Sequence, residues 1–486
     1  MRDRLFKIFL RLFRFNTSKQ DKIKKGTIIV LIDGLSFDAL QYAISKKKCP
    51  TIKKLLKKGY MLQPYYCGLP AATTATEALL LYGNKANIPG FTWLDRDLGE
   101  FVRGNRSYEL SKFEDIYPKK RSLLHGGSSI MSVYNGGATE LSLSGRNLTF
   151  SRSTAMIKAA HYLLMTILYP IQLLRAFILT IKMLFLYTRS DGRTAKETMS
   201  TVFLGQFSCF LTEVEIMRNT QKIFVDFLLY DEFAHEHGPT HSTPLSTLRL
   251  IDRYINRIVK TAENSGNMYD IVILSDHGQT QSTPYDLHTL RSVSEIKMAL
   301  NDEARTIIKT YGDFIPNEKK RELYLVPAGS TLQLYFSESI KKPFDSDDLK
   351  LLYPHLLSNL LKCEGFGWVL VRNKDGSRTL YGKQGTIDFK IDETHSIHGN
   401  PFEGLPKEDI QKTIQSFQEY SSFNNNGDLL LFGSVAGGSV TSFEMHKGTH
   451  GGFYGPMVHP FILSPLKLEK DISMEKIFTK IEYNMK

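Results

Sequence analysis

TIIVLIDG, at residues 27–34, decides the fold of this chain. It is a continuous run of β-branched and aliphatic residues that ends in Asp-Gly, which is typical of a strand buried on both faces in a parallel sheet. KIFVDFLLYDEF (222–233) and DIVILSDHG (270–278) predict two further buried strands that also end in aspartate, and HPFILSP (459–465) predicts a fourth strand. These strands are expected to share one sheet.

Helical segments are predicted at residues 36–58 and 244–263, each after one of these strands. The alternation predicts an α/β fold with a mainly parallel sheet sandwiched by helices. In such folds, sites are built where loops leave the carboxyl ends of the strands. One aspartate after a strand often only caps the next helix. Three such aspartates, two of them accompanied by histidines, indicate a site.

The composition is that of a globular protein, with 486 residues, 42% of them hydrophobic and 23% charged. This length allows one large α/β domain with insertions, or two or three domains. The four cysteines lie far apart without CxxC spacing, which argues against a disulfide framework and a cysteine zinc site. No GxGxxG motif follows the first strand, so a Rossmann nucleotide-binding domain is disfavoured.

Basic residues are concentrated at the start of the chain. Of the net charge of +12, residues 1–25 hold +7, from nine Lys or Arg and two Asp. In MRDRLFKIFLRLFRF (1–15) a basic stripe lies beside a bulky apolar face, which is typical of a helix in the interface of an anionic membrane. Nucleic-acid-binding arms seldom carry so much Phe and Leu, so we expect no nucleic-acid partner. An export signal and an ordinary packed helix are the alternatives.

The most apolar segment spans residues 155–187. A single membrane crossing there would separate strands that should share a sheet, and two crossings need about 40 residues. We therefore expect a helix or helical hairpin that dips into the membrane interface, with core or dimer-interface helices as the alternative. Together with the first helix, this predicts a peripheral protein on the cytoplasmic face of a membrane, unless the first residues are an export anchor. The sequence does not indicate an oligomeric state.

These observations divide the chain into a core in three parts, interrupted by a helical, membrane-associated insertion and a smaller cap subdomain. The predicted divisions are 1–25 (amphipathic helix), 26–150 (core), 151–220 (helical insertion), 221–280 (core), 281–440 (cap or insertion) and 441–486 (core).

Six acidic and imidazole side chains are predicted to meet at the carboxyl edge of the sheet: Asp33, Asp231, His235, Asp276, His277 and His450. Mixed Asp and His ligation suits zinc, and manganese is also possible. Six ligands are enough for two divalent ions with open positions for a substrate. Two such ions about 4 Å apart are suited to displacement at phosphorus.

A nucleophile is offered by LPAATTATEALLLYG (69–83), in which Thr73 is predicted to begin a helix. A hydroxyl beside a divalent ion becomes nucleophilic at neutral pH, and a helix N-terminus favours a phosphate anion. Thr74 is the alternative by composition, and the spacing to Gly83 favours Thr73.

The chain resembles the alkaline phosphatase superfamily, in particular its type I phosphodiesterase/nucleotide pyrophosphatase branch. The resemblance rests on ordered motifs: IDG, the threonine segment ending in YG, D-x-x-x-H-x-x-G-P at 231–239, and SDHG with a late GTHGG. It implies one ion held by Asp231, His235 and His450 and a second held by Asp33, Asp276 and His277, with Thr73 reaching into the site.

Two positions weaken or complicate the match. Thr76 stands where many nucleotide pyrophosphatases have an asparagine, so that particular activity is in doubt. His398, in SIHGNP, is an alternative to His450 as the last ligand.

The predicted function is metal-dependent hydrolysis of a phosphate mono- or diester, acting at a membrane surface on a lipid-linked or other phosphoester. Transfer of the phospho group to an acceptor alcohol through the same site is one alternative. A non-catalytic membrane-binding protein that retains the fold is another, but all seven predicted site residues are present.

Overall fold

A computed structural model describes residues 25–85, 87–116, 122–144, 147–150, 181, 194–285, 290–300, 306–310, 316–317, 320–392, 394–470 and 472–485. The predicted N-terminal helix therefore lies outside the described residues except for Lys25. The apolar segment 155–187 also lies outside them, except for Ile181.

A sheet of eight strands forms the centre of the fold, in the order β2-β22-β9-β1-β8-β5-β6-β7. Five neighbouring strands, from β9 to β6, run parallel, while β2, β22 and β7 each pair antiparallel. The sheet is therefore mixed rather than mainly parallel, and the prediction was too simple at its edges. The strands are β1 (Gly26–Ile32), β2 (Met61–Pro64), β5 (Ser128–Ser132), β6 (Leu141–Ser144), β7 (Asn147–Phe150), β8 (Lys222–Phe227), β9 (Tyr269–Leu274) and β22 (Phe461–Ser464).

Helices cover both faces of this sheet. Alternate residues of β1 point to opposite faces, so that Val30 packs into one cluster of buried side chains and Leu31 into the other. The described helices are α1 (Phe37–Ser45), α2 (Pro50–Lys57), α3 (Thr73–Tyr82), α4 (Ser107–Ile116), α5 (Thr194–Met217), α6 (Leu229–His237), α7 (Ser242–Ser265), α8 (Leu290–Leu300), α9 (Ser346–Leu352), α10 (Leu356–Leu360), α11 (Lys407–Ser421) and α12 (Met474–Asn484), with short 3-10 turns at Ser337–Ser339 and Gly455–Val458. Side chains of α1, α2, α5 and α7 fill one cluster, and those of α3, α4 and α12 fill the other.

The second predicted strand ends earlier than expected. The prediction of a strand over 222–233 was wrong in its second half, because β8 stops at Phe227 and α6 begins at Leu229. The side chains of Leu229, Tyr230 and Phe233 are all buried. A short run that is apolar throughout cannot distinguish a strand from a buried helix by periodicity. Asp231 consequently lies in the first turn of a helix rather than at the end of a strand.

The predicted helical segment 36–58 forms two helices, α1 and α2. Pro50 is the first residue of α2, where its missing N–H is of no consequence. The cap comes from another part of the chain: the carboxylate of Asp252, on α7, accepts hydrogen bonds from the backbone N–H groups of Thr51 and Ile52 at 2.9–3.1 Å. This contact fixes α2 against α7.

A second eight-stranded sheet, in the order β11-β12-β13-β18-β14-β15-β16-β17, is built within residues 281–440. Its strands β12 and β13 contain the apolar runs at residues 322–326 and 331–336. Its members are β11 (Ile307–Lys309), β12 (Glu322–Ala328), β13 (Thr331–Phe336), β14 (Phe366–Arg372), β15 (Arg378–Gly382), β16 (Gly385–Phe389), β17 (His395–Gly399) and β18 (Leu429–Gly433). Smaller sheets contain β3 (Thr92–Asp95), β4 (Glu100–Arg103), β10 (Thr280–Pro284), β19 (Val435–Ala436), β20 (Ser439–Ser442) and β21 (Gly448–Thr449).

Among the residues that the structure describes, no helix combines the length and the hydropathy needed to cross a membrane.

Candidate active site

The predicted site residues meet at the carboxyl ends of the parallel strands. Asp33 directly follows β1, and Asp276 follows β9, the neighbouring strand. The two loops are joined because the backbone N–H of Gly34 donates a hydrogen bond to Asp276 Oδ1 at 3.3 Å. The hydroxyl of Ser275 accepts a hydrogen bond from the N–H of Leu35 at 2.9 Å, which adds a second link.

Two compact groups of potential metal ligands result. Asp231, His235 and His450 form one group, and Asp33, Asp276 and His277 form the other. Within each group, the ligand atoms all lie within 4.8 Å of one another. The groups are adjacent, since the rings of His277 and His450 stack with 3.9 Å between their centroids. These are the two sets that the resemblance implied, although their role as ligands remains a prediction.

Backbone carbonyl groups orient two of the histidines. His235 Nδ1 lies 2.8 Å from the carbonyl oxygen of Gly448, and His450 Nδ1 lies 2.9 Å from that of Ala71. A carbonyl oxygen only accepts hydrogen bonds, so Nδ1 carries a proton in both rings and Nε2 is the ring nitrogen left to act as a ligand. Buried metal-ligating histidines are commonly held in this way.

Thr73 is the first residue of α3, as predicted, and is buried beside the group of Asp33, Asp276 and His277. Its hydroxyl oxygen lies 3.1 Å from His277 Nε2. The preceding residue, Ala72, has no side chain that could cap the helix, so the first N–H groups of α3 are left for an anion. The hydroxyl of Thr74 instead donates to the carbonyl oxygen of Gly90 at 2.9 Å.

The alternative last ligand, His398, lies elsewhere. It belongs to β17 in the second sheet, where 71% of its side chain is exposed and its nearest acidic partner is Asp388. His450 is the histidine that the fold brings to the other ligands.

The buried acidic groups of the site favour the binding of additional positive charge. Burial, reinforced by the charges of Asp276 and Asp231, raises the pKa of Asp33 well above its usual value. Asp33 Oδ1 is buried and has no hydrogen-bond partner among the described residues. Burial opposes ionisation of both Asp231 and His235, but their mutual attraction outweighs it, lowering the pKa of Asp231 and raising that of His235 to about 9.

Buried carboxylates of this kind are stable only when they are paired or bound to a metal. Imidazole and carboxylate donors in two groups of three, with an orphaned carboxylate oxygen, therefore fit two divalent ions such as Zn²⁺ or Mn²⁺.

Sequence reasoning missed Gln279, which follows the SDHG motif and is buried. Its side-chain amide donates hydrogen bonds to both the backbone oxygen and Oδ1 of Asp231. The oxygen end of the Gln279 amide packs closely against Gly448, and this contact holds the amide in place. A Cβ atom added at Gly448 would lie 2.4 Å from Gln279 Oε1. Gln279 thereby connects the segment that carries Asp276 and His277 to Asp231, a member of the other ligand group.

We expect Gln279→Leu to weaken divalent-metal binding about 10- to 100-fold, because an oriented ligand loses its supporting hydrogen bonds. Competition with a fluorescent chelator would measure the affinity. Gln281→Leu is the matched control, since Gln281 is exposed and donates nothing to Asp231 among the described contacts. Equal metal affinity in the two variants would contradict this role for Gln279.

Three further ionisable side chains near the site were also missed. Glu77, on α3, accepts hydrogen bonds from the Ser132 hydroxyl and the Val133 N–H, and burial raises its pKa to about 8. Asp226, in β8, is buried without a hydrogen-bond partner for either oxygen among the described residues. The ring of His446 lies 4.1 Å from that of His235. The sequence of β8 could have drawn attention to Asp226, because it is the one acidic residue in an otherwise apolar part of that strand.

The fold and the site together define a class of protein. A threonine hydroxyl at an uncapped helix N-terminus, beside two adjoining groups of carboxylates and imidazoles at the carboxyl edge of a parallel sheet, is an arrangement for reaction at a phosphoryl group. The class is that of phosphoric ester hydrolases.

Residues 27–326 match the family described as type I phosphodiesterase / nucleotide pyrophosphatase. This match covers more than half of the chain, and the chain therefore belongs to that family. The resemblance inferred from the motifs is confirmed, and the protein is a phosphoric ester hydrolase. No curated protein matches the sequence.

Solved structures with the same fold include phosphonoacetate hydrolase from Sinorhizobium meliloti 1021. Its complex with phosphonoacetate has a TM-score of 0.51 at 12% identity, and its complex with phosphonoformate has a TM-score of 0.50 at 13% identity. In both comparisons 95% of each chain is covered. Murine ectonucleotide pyrophosphatase / phosphodiesterase 5 in complex with AMP covers 95% of each chain at 11% identity, with a TM-score of 0.48. At these identities the first two likenesses establish the fold.

Proposed function

We propose that the protein hydrolyses phosphate mono- or diesters with Thr73 as the nucleophile and two divalent metal ions as cofactors. The observation that carries the proposal is the position of the Thr73 hydroxyl, which is buried 3.1 Å from His277 Nε2, while the ring of His277 stacks on that of His450 from the other ligand group. Asp231, His235 and His450 would hold one ion, and Asp33, Asp276 and His277 the other. When bound, such ions supply charge that stabilises phosphoryl oxygens and lowers the pKa of neighbouring hydroxyl groups.

The reaction has two steps in which Thr73 is first modified and then restored. Its Oγ1 attacks phosphorus, the bond from phosphorus to the leaving oxygen breaks, and the threonine proton leaves with the released alcohol. Water then attacks the phosphothreonine, releases the phosphate product and regenerates the hydroxyl. The uncapped N–H groups at the start of α3 face an anion bonded to Thr73, so they are suited to bind the phosphoryl oxygens throughout.

We also propose that the enzyme works at a membrane surface, on the cytoplasmic side, on a lipid-linked or other phosphoester. The support is the basic, aromatic composition of residues 1–25 and the apolar segment 155–187. The chemistry of the site does not depend on this location.

The proposal is tested by measuring bound metal together with hydrolysis of para-nitrophenyl phosphate and bis(para-nitrophenyl) phosphate. We expect about two equivalents of zinc or manganese per chain, in line with a two-metal site. Chelation should abolish turnover, readdition should restore it, and the preferred ester should identify the substrate class. Turnover that continues in fully metal-free protein would contradict the two-metal mechanism.

A further inference from the structure

The net positive charge of the chain is concentrated in three segments. Residues 1–25 carry +7, residues 46–58 carry +7 and residues 151–193 carry +5. Because the total is +12, the rest of the chain carries −7. Of the three segments, 46–58 lies entirely among the described residues. It contains seven lysines and no acidic residue.

These lysines form one face on the outside of the fold. In α2, Thr51, Ile52 and Leu55 are buried, while Lys53, Lys54 and Lys57 are exposed on the opposite side of the helix. The remaining lysines are Lys46, Lys47 and Lys48, at the end of α1, and Lys58, which caps α2. We call the seven side chains the lysine face.

The lysine face is almost unneutralised. Lys58 pairs with Glu263 at 2.6 Å. Within the part of the chain that the structure describes, Lys53, Lys54 and Lys57 have no acidic partner. Asp252 lies under α2, but its buried carboxylate accepts hydrogen bonds from the N–H groups of Thr51 and Ile52. Like charges crowded on one short helix repel each other, and a multivalent anion beside the cluster would relieve that repulsion.

The lysine face is also close to the point where the first 24 residues join the fold. Lys25 precedes β1 and pairs with Asp270 at 2.9 Å. Glu263, the partner of Lys58, is near the end of α7, and Asp270 is near the start of the next strand, β9. The turn between these elements therefore lies between Lys25 and Lys58. The lysine face is therefore at the same end of the central sheet as Lys25, whereas the ligand groups lie at its other end.

We infer that the lysine face docks on a bilayer surface rich in anionic lipid. A surface with many closely spaced phosphates is complementary to this charge. The face consists of lysine alone, without the arginine forks that read nucleic-acid phosphates and bases. Tyr42, 44% exposed, and Met61, 36% exposed, lie next to it, and such side chains suit the boundary between headgroups and acyl chains. This inference rests on the proposed membrane location of the enzyme and not on the chemistry of the site, because the ligand groups lie at the other end of the sheet from the docked face.

The test compares full-length wild type with Lys53→Gln/Lys54→Gln/Lys57→Gln in sedimentation with phosphatidylcholine vesicles, with and without phosphatidylserine. We expect binding only to the anionic vesicles, and a loss of about 100-fold in affinity in the triple variant, since each lysine contributes roughly fivefold. Added salt should weaken the binding of wild type more than that of the variant.

A matched control removes three exposed lysines from the second-sheet region, Lys350, Lys383 and Lys390, and is expected to bind as wild type does. Turnover of a soluble ester should be unchanged in both triple variants, so failure of the docking inference can be told from failure of the catalytic proposal. Equal vesicle affinity of the wild type and the Lys53/Lys54/Lys57 variant would overturn the inference. Binding to duplex DNA but not to vesicles, lost in that variant, would overturn it in favour of nucleic acid.

Discussion

Thr73→Ala is expected to reduce turnover of the preferred ester by about 10⁴-fold or more, the loss typical when a nucleophile is removed. The physical reason is that no other hydroxyl occupies its place: Thr74 donates to the carbonyl of Gly90, and Thr76 donates to that of Ala72 at 2.9 Å. Alanine is a good helix former, so α3 should be preserved. Steady-state kinetics, with metal content measured on the same samples, would provide the test.

Two controls separate the chemistry from the packing. Thr73→Ser keeps a hydroxyl at the same atom and should retain a substantial part of the turnover. Thr74→Val removes the neighbouring hydroxyl while keeping the shape of the side chain, and should leave the phosphoenzyme chemistry in place. If Thr73→Ala retained turnover, or if Thr74→Val were the inactive variant, Thr73 would not be the nucleophile.

Gly34→Ala is expected to disrupt metal binding and to lower turnover about 100-fold or more, as ligand misplacement by about 1 Å does. Gly34 has a φ of +70°, and a Cβ atom there would lie 2.0 Å from Asp231 Oδ1. The added methyl group must therefore displace Asp231, a member of one ligand group, or the backbone beside Asp33, a member of the other. Metal stoichiometry and kinetics would measure both consequences.

Gly99→Ala is the matched control for this substitution. Gly99 has a φ of +67°, but no atom lies within 4 Å of the position of its added Cβ. Both variants should lose about 1–2 kcal/mol of stability from the left-handed backbone, as judged by urea denaturation. Only Gly34→Ala should also lose metal. Full metal occupancy in Gly34→Ala would show that the close contact is relieved without moving a ligand.

The ligand groups were predictable from the sequence because each member is tied to a local pattern. Asp33 and Asp276 end β-branched apolar runs that are typical of buried strands, and His235 is one helical turn from Asp231. Parallel strands then bring their carboxyl ends to one edge, which places distant residues together without any knowledge of the loops.

What the sequence could not predict depends on contacts between distant segments. The cap of α2 is Asp252, two hundred residues away, and the support of Asp231 is Gln279, whose neighbours in the sequence give no sign of that role. The direction of β22 was also unpredictable, because a four-residue edge strand can pair either way. The second sheet is stabilised by antiparallel pairing among short strands, whose order is set by packing rather than by motifs.

The spread of the ligand groups along the chain has a consequence for biosynthesis. Asp33 is made early, and His450 is made 417 positions later. A nascent chain on the ribosome has one ligand group without its last histidine, and β21, which orients His235, has not yet been made. With His450 as a metal ligand, as proposed, its group is completed only after residue 450 has been made, so we expect no hydrolysis of cellular phosphoesters by a chain that is still being synthesised.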